Sequence, residues 1–133
     1  MKPVAQFLEE HDIAVVQMPC PELTFLGLDR KGQIYKQLSD PQVVKGLREM
    51  AKNICYQITQ YRKHGFRVLG IIGIDGSPCC GVTKTWDGYE RPGTGMFMIE
   101  LKDELEKQKI DITLKGFEDK KMSEALEFLT TLV

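Results

Sequence analysis

The sequence predicts an α/β fold in three layers, a mostly parallel sheet with helices on both faces. Short apolar runs at residues 13–18, 67–74 and 110–114 alternate with longer amphipathic stretches. Alternation of this kind is the mark of parallel strands joined by right-handed crossovers. The run at 67–74 is almost continuously apolar, as a strand covered on both faces should be. The resulting order of helix, strand, helix, strand, helix, strand, helix is Rossmann-like. A length of 133 residues suits one domain spanning 1–133.

Taken in order, residues 3–10 place Val4, Phe7 and Leu8 at helical spacing. Residues 13–18 read as a buried strand that stops at Pro19-Cys20-Pro21, where two prolines forbid regular pairing. Residues 21–39 read as an irregular loop with turns near Gly27 and Gly32. Asp40-Pro41 then offers a capping acceptor followed by proline at the first helical position. The helix expected over 40–64 carries the stripe Val44, Leu47, Ala51, Ile54 and Ile58, with basic residues at its negative end and Gly65 as its stop. After the strand at 67–74 come a tight polar loop at 75–81 and an irregular stretch at 82–95. A helix is expected over 96–109 with Met98, Leu101 and Leu105 inward, then a strand at 110–114. A closing helix over 121–132 contains Leu126, Phe128 and Leu129. Folds of this class usually open on a strand, so a chain that opens on a helix predicts an absent initial strand.

Composition narrows the function. Hydrophobic residues make up 42% and charged residues 28%, which excludes intrinsic disorder. Eighteen basic and nineteen acidic residues leave a net charge of -1. A general nucleic-acid binder would show a basic surplus, so no nucleic-acid partner is expected. No apolar run approaches the roughly 20 residues that span a bilayer, and the N-terminus lacks a secretory apolar stretch. A cytoplasmic protein with no membrane partner is therefore expected. Its four cysteines should be free thiols rather than a disulfide framework.

Ligands of open α/β sheets bind beyond the carboxyl ends of the strands, and cysteines fall at two such ends. Cys20 follows the first predicted strand, between two prolines. Cys79 and Cys80 follow the second, within Gly76-Ser77-Pro78-Cys79-Cys80-Gly81. Stiff loops presenting thiolates from positions about sixty residues apart suit a metal or iron–sulfur centre. Cys55 lies on an apolar helical stripe and reads as core filling. No two cysteines are two residues apart in a zinc-type spacing, and His11 and His64 lie in helical contexts.

These motifs carry a resemblance. Gln17-Met18-Pro19-Cys20-Pro21-Glu22 and Gly73-Ile74-Asp75-Gly76-Ser77-Pro78-Cys79-Cys80-Gly81 resemble the thiouracil desulfidase family, and most closely its short desulfidase-related branch. Gly93-Thr94-Gly95-Met96-Phe97 sits where that family has a glycine-bearing turn before a helix. The resemblance implies a 4Fe-4S cluster held by three cysteines, with one iron open to the sulfur of a thiolated heterocycle such as thiouracil. Carried over by motif, Cys20 and Cys80 are cluster ligands, Glu22 is a proton donor or acceptor, and Ser77 orients substrate or water. The family's first cysteine follows an opening strand, and this chain has neither. Either an N-terminal segment is missing or Cys79 substitutes as third ligand.

Other readings stand beside this one. Cys20, Cys79 and Cys80 could hold zinc or another small ligand in a non-enzymatic domain. A thiol enzyme using Cys80 lacks a nearby base. Gly93-Thr94-Gly95 could offer amides to an anion or form only a turn and cap. Trp86, Tyr89 and Arg91 could stack on a flat heterocycle or anchor a loop. The Asp75-Gly76-Ser77 loop lacks the lysine of a phosphate-binding loop.

Overall fold

The computed structural model describes residues 2–29, 31–32, 38–118 and 122–133, the side chains of Lys2 and Met122 excepted. The chain forms α1 (Lys2–Glu10), α2 (Pro21–Leu26), α3 (Pro41–Lys63), β1 (Ile71–Ile74), β2 (Lys84–Trp86), β3 (Glu90–Pro92), α4 (Met96–Lys107), β4 (Leu114–Phe117) and α5 (Met122–Leu132).

Helix α3 forms where capping and periodicity both ask for it. Asp40 accepts the Gln42 amide at 2.9 Å, Pro41 opens the first turn, and Arg62 and Lys63 close the last. Its stripe of Leu47, Ala51, Ile54, Cys55 and Ile58 is buried against Met98, Leu101 and Leu105 of α4. These two helices cover one face of the sheet, where Ile71 is buried and Leu114 is packed against the same cluster. On the other face α5 meets β4 through Phe117 and Phe128, whose ring centres lie 5.6 Å apart. Helix α1 packs beside α5.

The sheet itself corrects the expectation. Among the described residues there are two two-stranded sheets, β1–β4 parallel and β2–β3 antiparallel. This is not the three-layer, mostly parallel, Rossmann-like sheet that the alternation predicts. Residues 13–18 form no strand, and Val15 and Val16 are 70% and 54% exposed. A continuous apolar run shows that a segment gains by burial, but it names no pairing partner. The strand expected at 110–114 forms at Leu114–Phe117 instead, and only Ile71–Ile74 of the run at 67–74 is a strand. Strand β1 is also less covered than its composition suggests, because Ile72 and Ile74 are 41% and 46% exposed.

Smaller differences are local. Proline at the first helical position lets α2 begin inside the stretch expected to be irregular; residues 30 and 33–37 of that stretch, and Lys121 of the closing helix, lie outside the described residues. The stretch at 82–95 holds the β2–β3 hairpin, with Lys84 opposite Pro92 and Trp86 opposite Glu90.

Candidate functional site

The loop after β1 is built from its first residue. The Asp75 carboxylate accepts the Val82 amide at 2.8 Å and the Thr83 amide at 3.0 Å, and also binds the Thr83 hydroxyl. Burial works to raise its pKa, but these donors prevail and hold the carboxyl below its ordinary value. Asp75 thus rivets both ends of the segment that carries the cysteines. The Ser77 hydroxyl oxygen accepts the amides of Cys79 at 3.3 Å and Cys80 at 3.1 Å, a local turn typical of serine. Buried Thr85 of β2 donates to the Ser77 carbonyl at 3.1 Å, joining the hairpin to the loop.

The far side of the loop docks on α4. The amides of Met96, Phe97 and Met98 donate to the carbonyls of Pro78 and Cys79 at 3.0 to 3.2 Å. Three amides that a helix start leaves unpaired are therefore satisfied by the cysteine loop, and the turn at 93–95 has none of these three to offer an anion. The approach is close: a Cβ on Gly95 would lie 2.6 Å from the Cys79 carbonyl oxygen. Cys79 is held at the positive end of the α4 dipole, an environment that favours a thiolate.

The two neighbouring sulfurs lie 3.2 Å apart, and the Ser77 hydroxyl oxygen lies 3.4 Å from the Cys79 sulfur. The hydrogen bond from Cys80, aided by Ser77, lowers the Cys79 pKa against the cost of burial. The same bond, with burial and the charges of Cys79, Cys20 and Glu22, raises that of Cys80. The pair is thus polarised, with Cys79 the better thiolate and Cys80 the thiol that donates to it.

Cys20 reaches this rim from the other motif. It precedes Pro21 at the start of α2, and its carbonyl accepts both the amide and the hydroxyl of Thr24, at 2.9 and 2.8 Å. Phe25, one turn on, lies over α3, where a Cβ on Gly46 would come within 2.3 Å of its ring. That contact seats α2 and so places Cys20 and Glu22 near enough for their charges to act on Cys80, and that of Glu22 on Cys79. Of the five residues expected at the site, Ser77, Cys79 and Cys80 are in mutual contact, and Cys20 and Glu22 lie within electrostatic reach of Cys80.

Other residues lie apart. Cys55 is fully buried in α3, and burial with the Glu104 charge pushes its thiol up to about 11. His11 stacks on Phe7 at a ring separation of 4.0 Å, and His64 caps α3. Trp86 and Tyr89 are exposed on the β2–β3 hairpin, and Arg91 pairs with Asp87 at 3.9 Å. Sequence reasoning missed Asp75 and Thr85 as organisers of the loop. Aspartate before Gly76-Ser77 is a turn signal that could have found the first; nothing local marks the second, whose partner is eight residues away.

The three thiols are a donor set whose chemistry suits a soft, thiophilic centre. Among the described residues no three histidine, cysteine, aspartate or glutamate side chains are grouped closely enough to hold a metal ion as they stand. Closing them on one centre therefore requires the three side chains to rearrange.

Comparison with known proteins finds an uncharacterized protein of Methanocaldococcus jannaschii that is 27% identical over 115 residues. The match covers 86% of this chain and 67% of that protein. No protein-family model matches the chain, and no solved structure matches it. Among the described residues, no helix is long and apolar enough to cross a membrane.

Proposed function

We propose that the chain is a cytoplasmic desulfidase-type protein that acts on thiolated nucleobases such as thiouracil with the help of a 4Fe-4S cluster. The observation that carries this reading is the pair Cys79 and Cys80 in sulfur contact at the loop after β1, with Cys20 and Glu22 within electrostatic reach of Cys80. The resemblance in the two cysteine motifs supplies the reaction class, in which a thiocarbonyl and water give a carbonyl and hydrogen sulfide. Cys20 and Cys80, with Cys79 as third donor, would hold the cluster. When bound, such a cluster supplies a soft Lewis acid for the substrate's sulfur.

The chain's own residues provide the rest. Glu22 is a carboxylate whose charge acts on both Cys79 and Cys80, and in this reading it takes a proton from water and returns one to the departing sulfur. Ser77 has its hydroxyl oxygen occupied by two amides, leaving its proton as the donor that orients water or substrate in place of the Cys79 sulfur.

Anaerobic reconstitution with ferrous iron and sulfide tests the reading. We expect a brown protein that converts thiouracil to uracil with release of sulfide. Cys20→Ala or Cys80→Ala should lose the iron, whereas Cys55→Ala should keep it; a colourless, iron-free product from the native chain rejects the proposal.

One observation favours a second reading, a non-enzymatic metal- or small-ligand-binding domain. Cys79 is only 2% exposed, a position reached more readily by an ion than by a heterocycle. One zinc per chain on metal analysis, with no sulfide released, would favour it.

A further inference from the structure

We propose that Cys79 and Cys80 form a reversible vicinal disulfide, which makes the pair an oxidative modification site for a peroxide. The inference stands on the geometry of the two sulfurs and holds whether or not the chain binds iron. Where the thiols do hold a cluster, the same bond would withdraw two of its three protein donors at once.

The sulfurs are already 3.2 Å apart, so bond formation requires an approach of only about 1.1 Å. Among the described residues no peptide bond is cis, so the two Cα atoms are held about 3.8 Å apart. Ordinary disulfides span roughly 4.4 to 6.8 Å between Cα atoms, and a bridge closed on a shorter span is strained and readily reduced. That is the behaviour of a reversible bond rather than a structural one.

The surroundings favour it. The loop is braced by groups other than the thiols: Asp75 holds Val82 and Thr83, Ser77 holds both cysteine amides, and the start of α4 holds the Pro78 and Cys79 carbonyls. Removing two S–H groups therefore leaves the scaffold in place. The sulfurs also differ in access, because Cys79 is buried and Cys80 is half-buried. In the proposed sequence Cys80 first passes its proton to Cys79 across their 3.2 Å contact; the more accessible Cys80 thiolate then attacks the peroxide oxygen, breaks the O–O bond and becomes a sulfenic acid, with one water released. The Cys79 sulfur then displaces the sulfenic oxygen as a second water and forms the S–S bond. Overall two thiols lose two protons and two electrons, and one hydrogen peroxide becomes two waters. A dithiol reductant reverses the bond by exchange.

The test uses the full chain, reduced and iron-free, treated with equimolar hydrogen peroxide, alkylated and digested with trypsin. Cleavage after Arg67 and Lys84 releases Cys79 and Cys80 on one peptide without Cys20 or Cys55. We expect that peptide to lose two hydrogens and titratable thiols to fall from four to two, both restored by a dithiol reductant. Cys79→Ser and Cys80→Ser should each abolish the bond, whereas Cys55→Ser should leave it. Four thiols surviving peroxide, a bond from Cys20 to either neighbour, or direct passage of the pair to sulfinic acid would overturn the proposal. Because no iron is present, none of these outcomes bears on whether the chain binds a cluster.

Discussion

At the scale of single residues, Asp75 and Gly95 carry the site without contributing chemistry to it. The Asp75 carboxyl is held below its ordinary value by hydrogen bonds to the loop. Its stabilising contribution is therefore complete above about pH 4 and is lost as pH falls through the lowered folded-state value. Asp75→Ala should cost about 1–3 kcal/mol at neutral pH by leaving the part-buried Val82 amide without its acceptor, and should flatten the stability profile below about pH 4; denaturant midpoints measured across that range check both effects. Gly95→Ala meets backbone rather than a movable side chain, at 2.6 Å from the Cys79 carbonyl oxygen. It should destabilise by about 1–3 kcal/mol and raise the alkylation rate of Cys79, which is buried in the native loop. Under the proposed desulfidase reading, Glu22→Gln should spare iron retention and slow sulfide release; unchanged turnover would remove Glu22 from the mechanism.

At the scale of elements, the short helix α2 is the most informative. It is six residues long, too short to persist alone, and its seat is Phe25 over Gly46. A methyl at Gly46 presses on the far end of the Phe25 ring, which can swing away into solvent. Alanine also favours α3 by about 1 kcal/mol over glycine. Gly46→Ala should therefore leave the thermal midpoint little changed or slightly raised, yet reduce the yield of thiol cross-linking between Cys20 and Cys80 by a short bifunctional alkylator. Unchanged cross-linking would show that α2 is seated by other contacts. In the sequence, α3 and α4 were legible to within about two residues because caps and periodicity agree there. Helix α2 and the hairpin were not, since Phe25 finds its partner twenty-one positions away and Thr85 finds the Ser77 carbonyl only in the folded loop.

At the scale of the whole molecule, the core lies between α3, α4 and one face of the parallel pair. Leu101 is fully buried there, and Leu101→Ala should cost about 2–5 kcal/mol in denaturant unfolding. The two sides of β1 should respond differently. Ile71 is 7% exposed and Ile72 is 41% exposed, so Ile71→Thr should cost well over 1 kcal/mol and Ile72→Thr about 0.5 kcal/mol or less. Equal costs would instead describe a strand covered on both sides, as the sequence led us to expect.

The sequence alone determined the long helices and the residues of the α3–α4 core, because local capping and helical period act over a few residues. Strand pairing was left to the tertiary structure, which used two parallel strands and left residues 13–18 unpaired. Apolar content rewards burial without regard to partner, whereas a strand exists only where another backbone lies alongside to accept its hydrogen bonds.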